Sequence, residues 1–141
     1  MSPPEINFRT ATGEDVPRLL EMLEPFVRAR KLLRRTPEEV AVLTRHGFVA
    51  EAEGELVGFA AIEIYSRKLA EIQSLAVVDG FQNRGIGRKL VMQCLERARE
   101  LDVMEVLAIS ASEDFLRSCG FDYSLPDQKR ALFCQLRQRA D

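Results

Sequence analysis

Leu75-Ala76-Val77-Val78-Asp79-Gly80-Phe81-Gln82-Asn83-Arg84-Gly85-Ile86-Gly87-Arg88-Lys89-Leu90-Val91 sets an apolar run directly against a glycine-containing turn and then the start of an amphipathic pattern. A strand, a glycine turn and a helix N-terminus in that order make an anion cradle, because free backbone N–H groups and the positive end of the helix dipole face one ligand. The ligand expected from this stretch carries phosphates.

Spacing narrows which phosphates. Gly80 and Gly85 have the separation of a P-loop, but Ile86-Gly87 stand where that loop needs Lys followed by Ser or Thr, so nothing is placed for a terminal phosphate or magnesium. Gly85-Ile86-Gly87 begins a dinucleotide fingerprint, yet Leu90 occupies the third glycine position and the strand comes late in the chain rather than opening a βαβ unit. Both readings are set aside.

Around the cradle, the elements follow from local patterns. Ile6-Asn7-Phe8-Arg9 alternates as a strand. Thr12 and Asp15 can cap a helix with Val16, Leu19, Leu20, Leu23, Phe26 and Val27 at helical spacing, and Pro17 falls in its first turn. Thr36-Pro37-Glu38-Glu39 starts a second helix that ends near His46-Gly47. Phe48–Glu51 and Leu56–Tyr65 form a hairpin around Glu53-Gly54, and Glu71–Val78 is the next strand. Helix three runs through about Glu100 with Ile86, Leu90, Val91, Cys94, Leu95 and Ala98 on one side. Val103–Ile109 reads as a buried strand, Glu113–Ser118 as a short helix and Leu132–Leu136 as a final strand. No linker or repeat interrupts residues 1–141, so one α/β domain is expected.

Gln82-x-x-Gly85-x-Gly87 followed by Arg88-Lys89-Leu90-Val91 resembles the pyrophosphate loop of the GCN5-related N-acetyltransferases (GNAT). The resemblance extends toward the acetyltransferase domain of the N-acetylglutamate synthases. It is carried by Phe8-Arg9-Thr10-Ala11, Glu24-Pro25-Phe26-Val27, Leu33-Arg34-Arg35-Thr36, Ala70-Glu71-Ile72, Glu96-Arg97-Ala98-Arg99-Glu100-Leu101 and Gly120-Phe121, in that order. It implies a mixed, mostly antiparallel central sheet of about six to seven strands flanked by about four helices. The implied cofactor is acetyl-CoA, with Gln82, Asn83, Arg84, Gly85, Ile86, Gly87, Arg88 and Lys89 at its pyrophosphate, mainly through main chain. Ala76 and Val77 would line the pantetheine arm, and Val77 N–H would face the thioester carbonyl.

The remaining chemistry rests on fewer residues. Glu71 precedes an otherwise apolar strand at the position of a glutamate typical of the branch, which implies a general base; it reads equally well as a solvated carboxylate paired with Lys68 or Arg67. Arg35 matches an arginine of the branch and implies a clamp for an amino acid carboxylate, although it also belongs to a basic run with Arg30, Lys31 and Arg34. Many members place Tyr four residues before the Gly-Phe pair as a general acid; Leu116 stands there, with Ser118, Cys119 and Tyr123 nearby. The C-terminal segment around Lys129-Arg130 also departs from the branch.

Composition bounds the alternatives. A chain of 141 residues with 46% hydrophobic and 30% charged residues can bury one core. Its net charge of −2 argues against a nucleic-acid partner, and no apolar run approaches the roughly 20 residues of a membrane span. A cytoplasmic protein is expected. Cys94, Cys119 and Cys134 have no metal-site or disulfide spacing, so no metal is expected, and Cys94 reads as a core residue. His46, the only histidine, sits at a helix end, where it would favour the C-terminal dipole. The expectation is an acetyl-CoA-dependent N-acetyltransferase acting on a small amine or an amino acid such as glutamate or glutamine. A protein or peptide N-acetyltransferase and a non-catalytic acyl-CoA-binding module remain as alternatives, and the final apolar strand leaves a homodimer open.

Overall fold

The computed structural model describes residues 3–110, 112–125 and 131–137. In chain order it contains β1 (Ile6–Thr10), α1 (Val16–Arg28), α2 (Pro37–Thr44), β2 (Gly47–Ala52), β3 (Glu55–Ile64), β4 (Leu69–Val77), α3 (Ile86–Glu100), β5 (Glu105–Leu107) and α4 (Glu113–Ser118), with a short 3-10 turn at Gly13–Asp15. The strands lie in the order β1-β2-β3-β4-β5, with β1 to β4 antiparallel and β5 parallel to β4. The sheet is therefore mixed and mostly antiparallel, as expected, with four α-helices around it.

Among the described residues it has five strands rather than six to seven, and two expectations at the C-terminal side fail together. Val103–Ile109 contributes only Glu105–Leu107, and that strand is not buried: Glu105 and Leu107 are exposed. Leu132–Leu136 is no strand, with Leu132 and Leu136 both more than nine-tenths exposed. A strand needs a ladder and a buried face, and a three-residue β5 offers neither over the required length.

Each face of the sheet has its own core. On one, α3 lays Leu90, Val91 and Cys94, all fully buried, over Ala50, Ala60, Ile62 and Ala70. Gly58 lets that helix approach: a Cβ there would lie 3.0 Å from Leu90 and 3.1 Å from Ile86. On the other face, Leu19 and Leu23 of α1 and Val40 and Leu43 of α2 pack on Val49, Phe59, Ala61 and Ala76. Burial pushes the Cys94 thiol up to about 12, consistent with an inert core residue.

The two helices of the second face start differently: α2 has the full expected box, whereas of the Thr12/Asp15 box the Asp15 half forms, and Asp15 N–H donates to Thr12 O at 3.0 Å with no cap hydrogen bond to the Thr12 side chain. Thr36 N–H donates to Glu39 Oε1 at 2.8 Å and Glu39 N–H to Thr36 Oγ1 at 3.2 Å, a reciprocal capping box with Pro37 in the first turn. Ahead of α1, the buried Asp15 carboxylate accepts from Thr12 N–H at 2.8 Å and from both terminal nitrogens of Arg9 at 2.8 and 2.9 Å. Arg9 Nε donates to Glu51 at 2.9 Å, so this one guanidinium ties the α1 entry to β1 and β2. His46 interacts differently from expectation: it faces Arg97 at 3.3 Å, and its pKa is lowered by burial and by Arg97 and Arg45, which favours the neutral ring over an imidazolium on the helix end.

The Arg9 guanidinium holds the Asp15 carboxyl down at about 2, from 3.8. A lowered folded-state value means that the stabilisation is complete above about pH 4 and fades as the pH falls toward 2, with about 2 kcal/mol at stake. Asp15→Asn should lose about that much in a urea titration at pH 7, and the difference from the unmodified chain should shrink as the titration is repeated toward pH 2.

Candidate active site

Strand β4 carries Glu71, Ala76 and Val77 of the residues singled out in the sequence, and its irregularity decides where they point. Between the register pairs Ala61↔Gln73 and Phe59↔Ala76, β4 has one residue more than β3, and Ser74 takes up the extra length at φ +55°. Because side chains alternate along a strand, one inserted residue reverses the facing of all that follow. Ile72 packs toward α3, while Ala76, four residues on, belongs to the α1/α2 core and Leu75 and Val77 turn to α3. Gln73, opposite Ala61, shares the α1/α2 face with the register partners Glu63 and Glu71.

β5 accompanies β4 only through Leu69, Ala70 and Glu71. Beyond Glu71, no described residue continues the ladder on that side, so the strands part and leave an edge of β4 open. Val78 N–H donates to Val57 O at 2.8 Å, which by antiparallel alternation turns the N–H and C=O of Val77 away from β3, toward the open edge. Gln82 Nε2 reaches back to Val77 O at 2.9 Å and to Asp79 Oδ1 at 3.3 Å, bracing the following loop against the strand end.

The loop ends in a helix whose first amides have no partner within the helix. Asn83 at φ +63° and Gly85 at φ +80° bend the chain into α3, whose first internal bond is Lys89 N–H to Gly85 O at 3.1 Å. The N–H groups of Ile86, Gly87 and Arg88 precede that bond and have no acceptor in their own helix. A Cβ at Gly85 would meet nothing within 4 Å, so the backbone there is open to a ligand. At Gly87, a Cβ would touch Phe115 at 3.4 Å and Val77 at 3.6 Å, placing loop, strand end and α4 side by side. The basic side chains differ in use. Arg88 Nη1 donates to Ser118 O at 2.6 Å, Lys89 Nζ lies 5.1 Å from the Phe8 ring, and Arg84 lies 5.1 Å from the Phe81 ring. The Arg88 side chain thus fastens α4. A hollow of about 460 Å³ opens beside Val78 and Asp79, walled by Met22, Phe26 and Leu56, within the size range of small-molecule sites.

On the α1/α2 face, Arg35 enters from the loop between the two helices. Its Nη2 donates to Gln73 Oε1 at 2.6 Å, and its Nε is buried with no partner among the described residues. A small cavity of about 60 Å³ adjoins it, walled by Leu20, Leu23, Val27 and the buried Ser74. Glu71 is bound by Tyr65, whose hydroxyl donates to Oε1 at 2.6 Å, rather than by Lys68 or Arg67. Gln73 Nε2 lies 3.2 Å from both Glu63 Oε1 and Tyr65 Oη. Arg35 and Glu71, named separately in the sequence, thus belong to one hydrogen-bonded group. Tyr65, Glu63 and Gln73 were missed; the signal for the latter two was polar residues at alternate positions of otherwise apolar strands.

The region of an expected general acid is filled structurally. Leu116 is buried, as is Cys119. Ser118 donates its hydroxyl to Phe115 O, and the Tyr123 ring lies 5.0 Å from the Arg117 guanidinium. No helix among the described residues is long and apolar enough to cross a membrane.

Comparison with known proteins agrees with this geometry. Residues 15–121 match the Acetyltransferase (GNAT) family. The chain is 34% identical over 113 residues to an uncharacterised N-acetyltransferase of Chlorobaculum tepidum, covering 80% of this chain and 73% of that protein. It is 27% identical over 128 residues to an amino-acid acetyltransferase of Pasteurella multocida, covering 86% of this chain but only 29% of that longer protein. Among solved structures, Rv2747 of Mycobacterium tuberculosis in complex with CoA and NLQ superposes with a TM-score of 0.75 at 26% identity, covering 81% of this chain and 70% of that one. N-acetylglutamate synthase of Neisseria gonorrhoeae shares the fold with a TM-score of 0.74 at 24% identity, covering 83% of this chain and 28% of that one. The chain therefore belongs to the GNAT family of acetyltransferases.

Proposed function

We propose that the chain transfers an acetyl group from acetyl-CoA to the amine of a free α-amino acid, such as glutamate or glutamine. Arg35 binds the acceptor's carboxylate and Glu71 takes the proton from its amine. The observation that carries this reading is the Arg35 guanidinium, with a buried, unpartnered Nε beside a small cavity and a short hydrogen-bonded path to Glu71. A buried donor without an acceptor is costly, and a ligand carboxylate would relieve that cost.

The chain's residues fit the cofactor. The amides of Ile86, Gly87 and Arg88, with the helix dipole behind them, would hold the pyrophosphate, and Gln82 keeps the loop in place. The main chain of Ala76 and Val77 lines the open edge of β4, where Val77 N–H would donate to the thioester carbonyl. Bound acetyl-CoA supplies an acetyl thioester, an electrophile whose thiolate leaves without a covalent enzyme intermediate. The amine must be neutral to attack, and with Glu71 Oε1 occupied by Tyr65, Oε2 is left to receive the ammonium proton. The remainder is positioning: two reactants held by one strand and the loop after it.

Incubation with acetyl-CoA and a panel of amino acids, amines and peptides, scored by mass spectrometry, tests the reading. An acetylated amino acid supports it. Product on peptide N-termini or lysines keeps the transfer and removes the amino-acid acceptor, and cofactor binding without product makes the chain an acyl-CoA-binding module. Gly85→Asp should abolish CoA binding in calorimetry, since a carboxylate enters the anion cradle at a position with φ +80°. Arg35→Lys should raise the acceptor KM by about 30-fold, the equivalent of about 2 kcal/mol for a lost charged hydrogen bond, with the acetyl-CoA KM unchanged.

A further inference from the structure

The Tyr65 hydroxyl owes its place to the turn between β3 and β4. Tyr65 N–H and Ser66 N–H both donate to Leu69 O, at 3.1 and 3.2 Å, so the chain reverses at once. Tyr65 stands just past the end of β3, and its hydroxyl comes to lie on Glu71 in the returning strand. The 2.6 Å separation falls in the range of a phenol donating to an ionised carboxylate.

The direction of the bonds through the group is fixed by its two ends. Arg35 can only donate, so Gln73 must present Oε1 to it, which turns Nε2 toward Tyr65 and Glu63. Tyr65 Oη accepts from Gln73 and gives its proton to Glu71. Every donor therefore points from the cation toward the carboxylate. Partial burial, together with Glu71 and Glu63, pushes the Tyr65 phenol up to about 12, so it remains a donor at neutral pH. Glu63 and Glu71 are direct register partners, a like-charge placement that destabilises a sheet unless something offsets it. Among the described residues the offset comes from a phenol and an amide rather than from a lysine or arginine. Neutral donors orient a carboxylate without cancelling its charge.

We propose that Tyr65 and Gln73 are positioning residues that align the Glu71 carboxylate with Arg35, so that the acceptor's two ends are set by one connected group. This rests on the amino-acid acetyltransferase reading, in which Arg35 takes the carboxylate and Glu71 the amine proton. Its consequence is selectivity by alignment: an acceptor is turned over quickly only when its carboxylate and amine match the fixed separation between the guanidinium and the base.

The test combines kinetics with a spectroscopic readout that needs no turnover. In Tyr65→Phe, kcat should fall about 10-fold, as for loss of one hydrogen bond to a charged group, while the acetyl-CoA KM stays unchanged. In a Glu71→Gln background the same substitution should cost no further kcat, since it acts through Glu71. Separately, the Cζ resonance of Tyr65, assigned by its loss in Tyr65→Phe, should move at neutral pH in Glu71→Gln. An unmoved resonance overturns the contact, whatever the activity. A moved resonance with unchanged kcat in Tyr65→Phe, or equal losses in both backgrounds, overturns the positioning role. A wild-type chain without turnover on any acceptor overturns the amino-acid reading and the role in catalysis with it, while the resonance still decides whether Tyr65 holds Glu71.

Discussion

The extra residue of β4 at Ser74 is the constraint on which the site depends. A single strand has to seal two cores, present polar groups to the helices on one face and end as an open edge ahead of the glycine loop. Strict alternation would leave Gln73 on the same face as Leu75 and Val77. The bulge removes that conflict by reversing the facing after Ser74, so Gln73 meets Arg35 on the face it shares with Glu71, while Leu75 and Val77 join the α3 core on the other. The parting of β4 from β5 after Glu71 then leaves the main chain of Val77 turned to an edge that no described strand covers.

The rest of the molecule supports that strand. Gly58 brings α3 down onto β3, and α3 begins where the loop braced by Gln82 delivers it. Arg88 holds α4 through Ser118, and Phe115 of α4 reaches Gly87, so the helix start is packed from the side as well as from below. Across the sheet, the buried Asp15 and its Arg9 anchor the entry to α1, which with α2 frames the loop carrying Arg35. The site is thus formed from strand ends, helix starts and one loop, each fixed by an identifiable contact.

Much of this was legible in the sequence because it depends on local rules. The capping box at Thr36 and Glu39, the stripe of Leu19 and Leu23, the glycine loop and the start of α3 follow from spacing over a few residues. The bulge was not legible, since Ser74 in an apolar strand looks like an ordinary alternating polar residue, and the partner strand decides where an extra residue is absorbed. For the same reason Tyr65 passed as the end of a hairpin strand. Its partnership with Glu71 exists only after the turn is closed. At the other end, Leu132–Leu136 had the residue types of a strand, but no described edge pairs with it. The basic run from Arg30 to Arg35 divides in the fold: Arg34 binds Glu24 at 2.9 Å, while Arg35 turns in toward Gln73.

In the proposed reading, one connected group reads both the carboxylate and the amine of the acceptor. The most direct measurement compares acetylation of an amino acid with that of the matching amine lacking only the α-carboxylate, at equal concentration and saturating acetyl-CoA. The amino acid should give product rapidly and the amine at least about tenfold more slowly, the equivalent of one charged hydrogen bond. Equal rates on both would rule that reading out, because Arg35 would then have no part in choosing the acceptor.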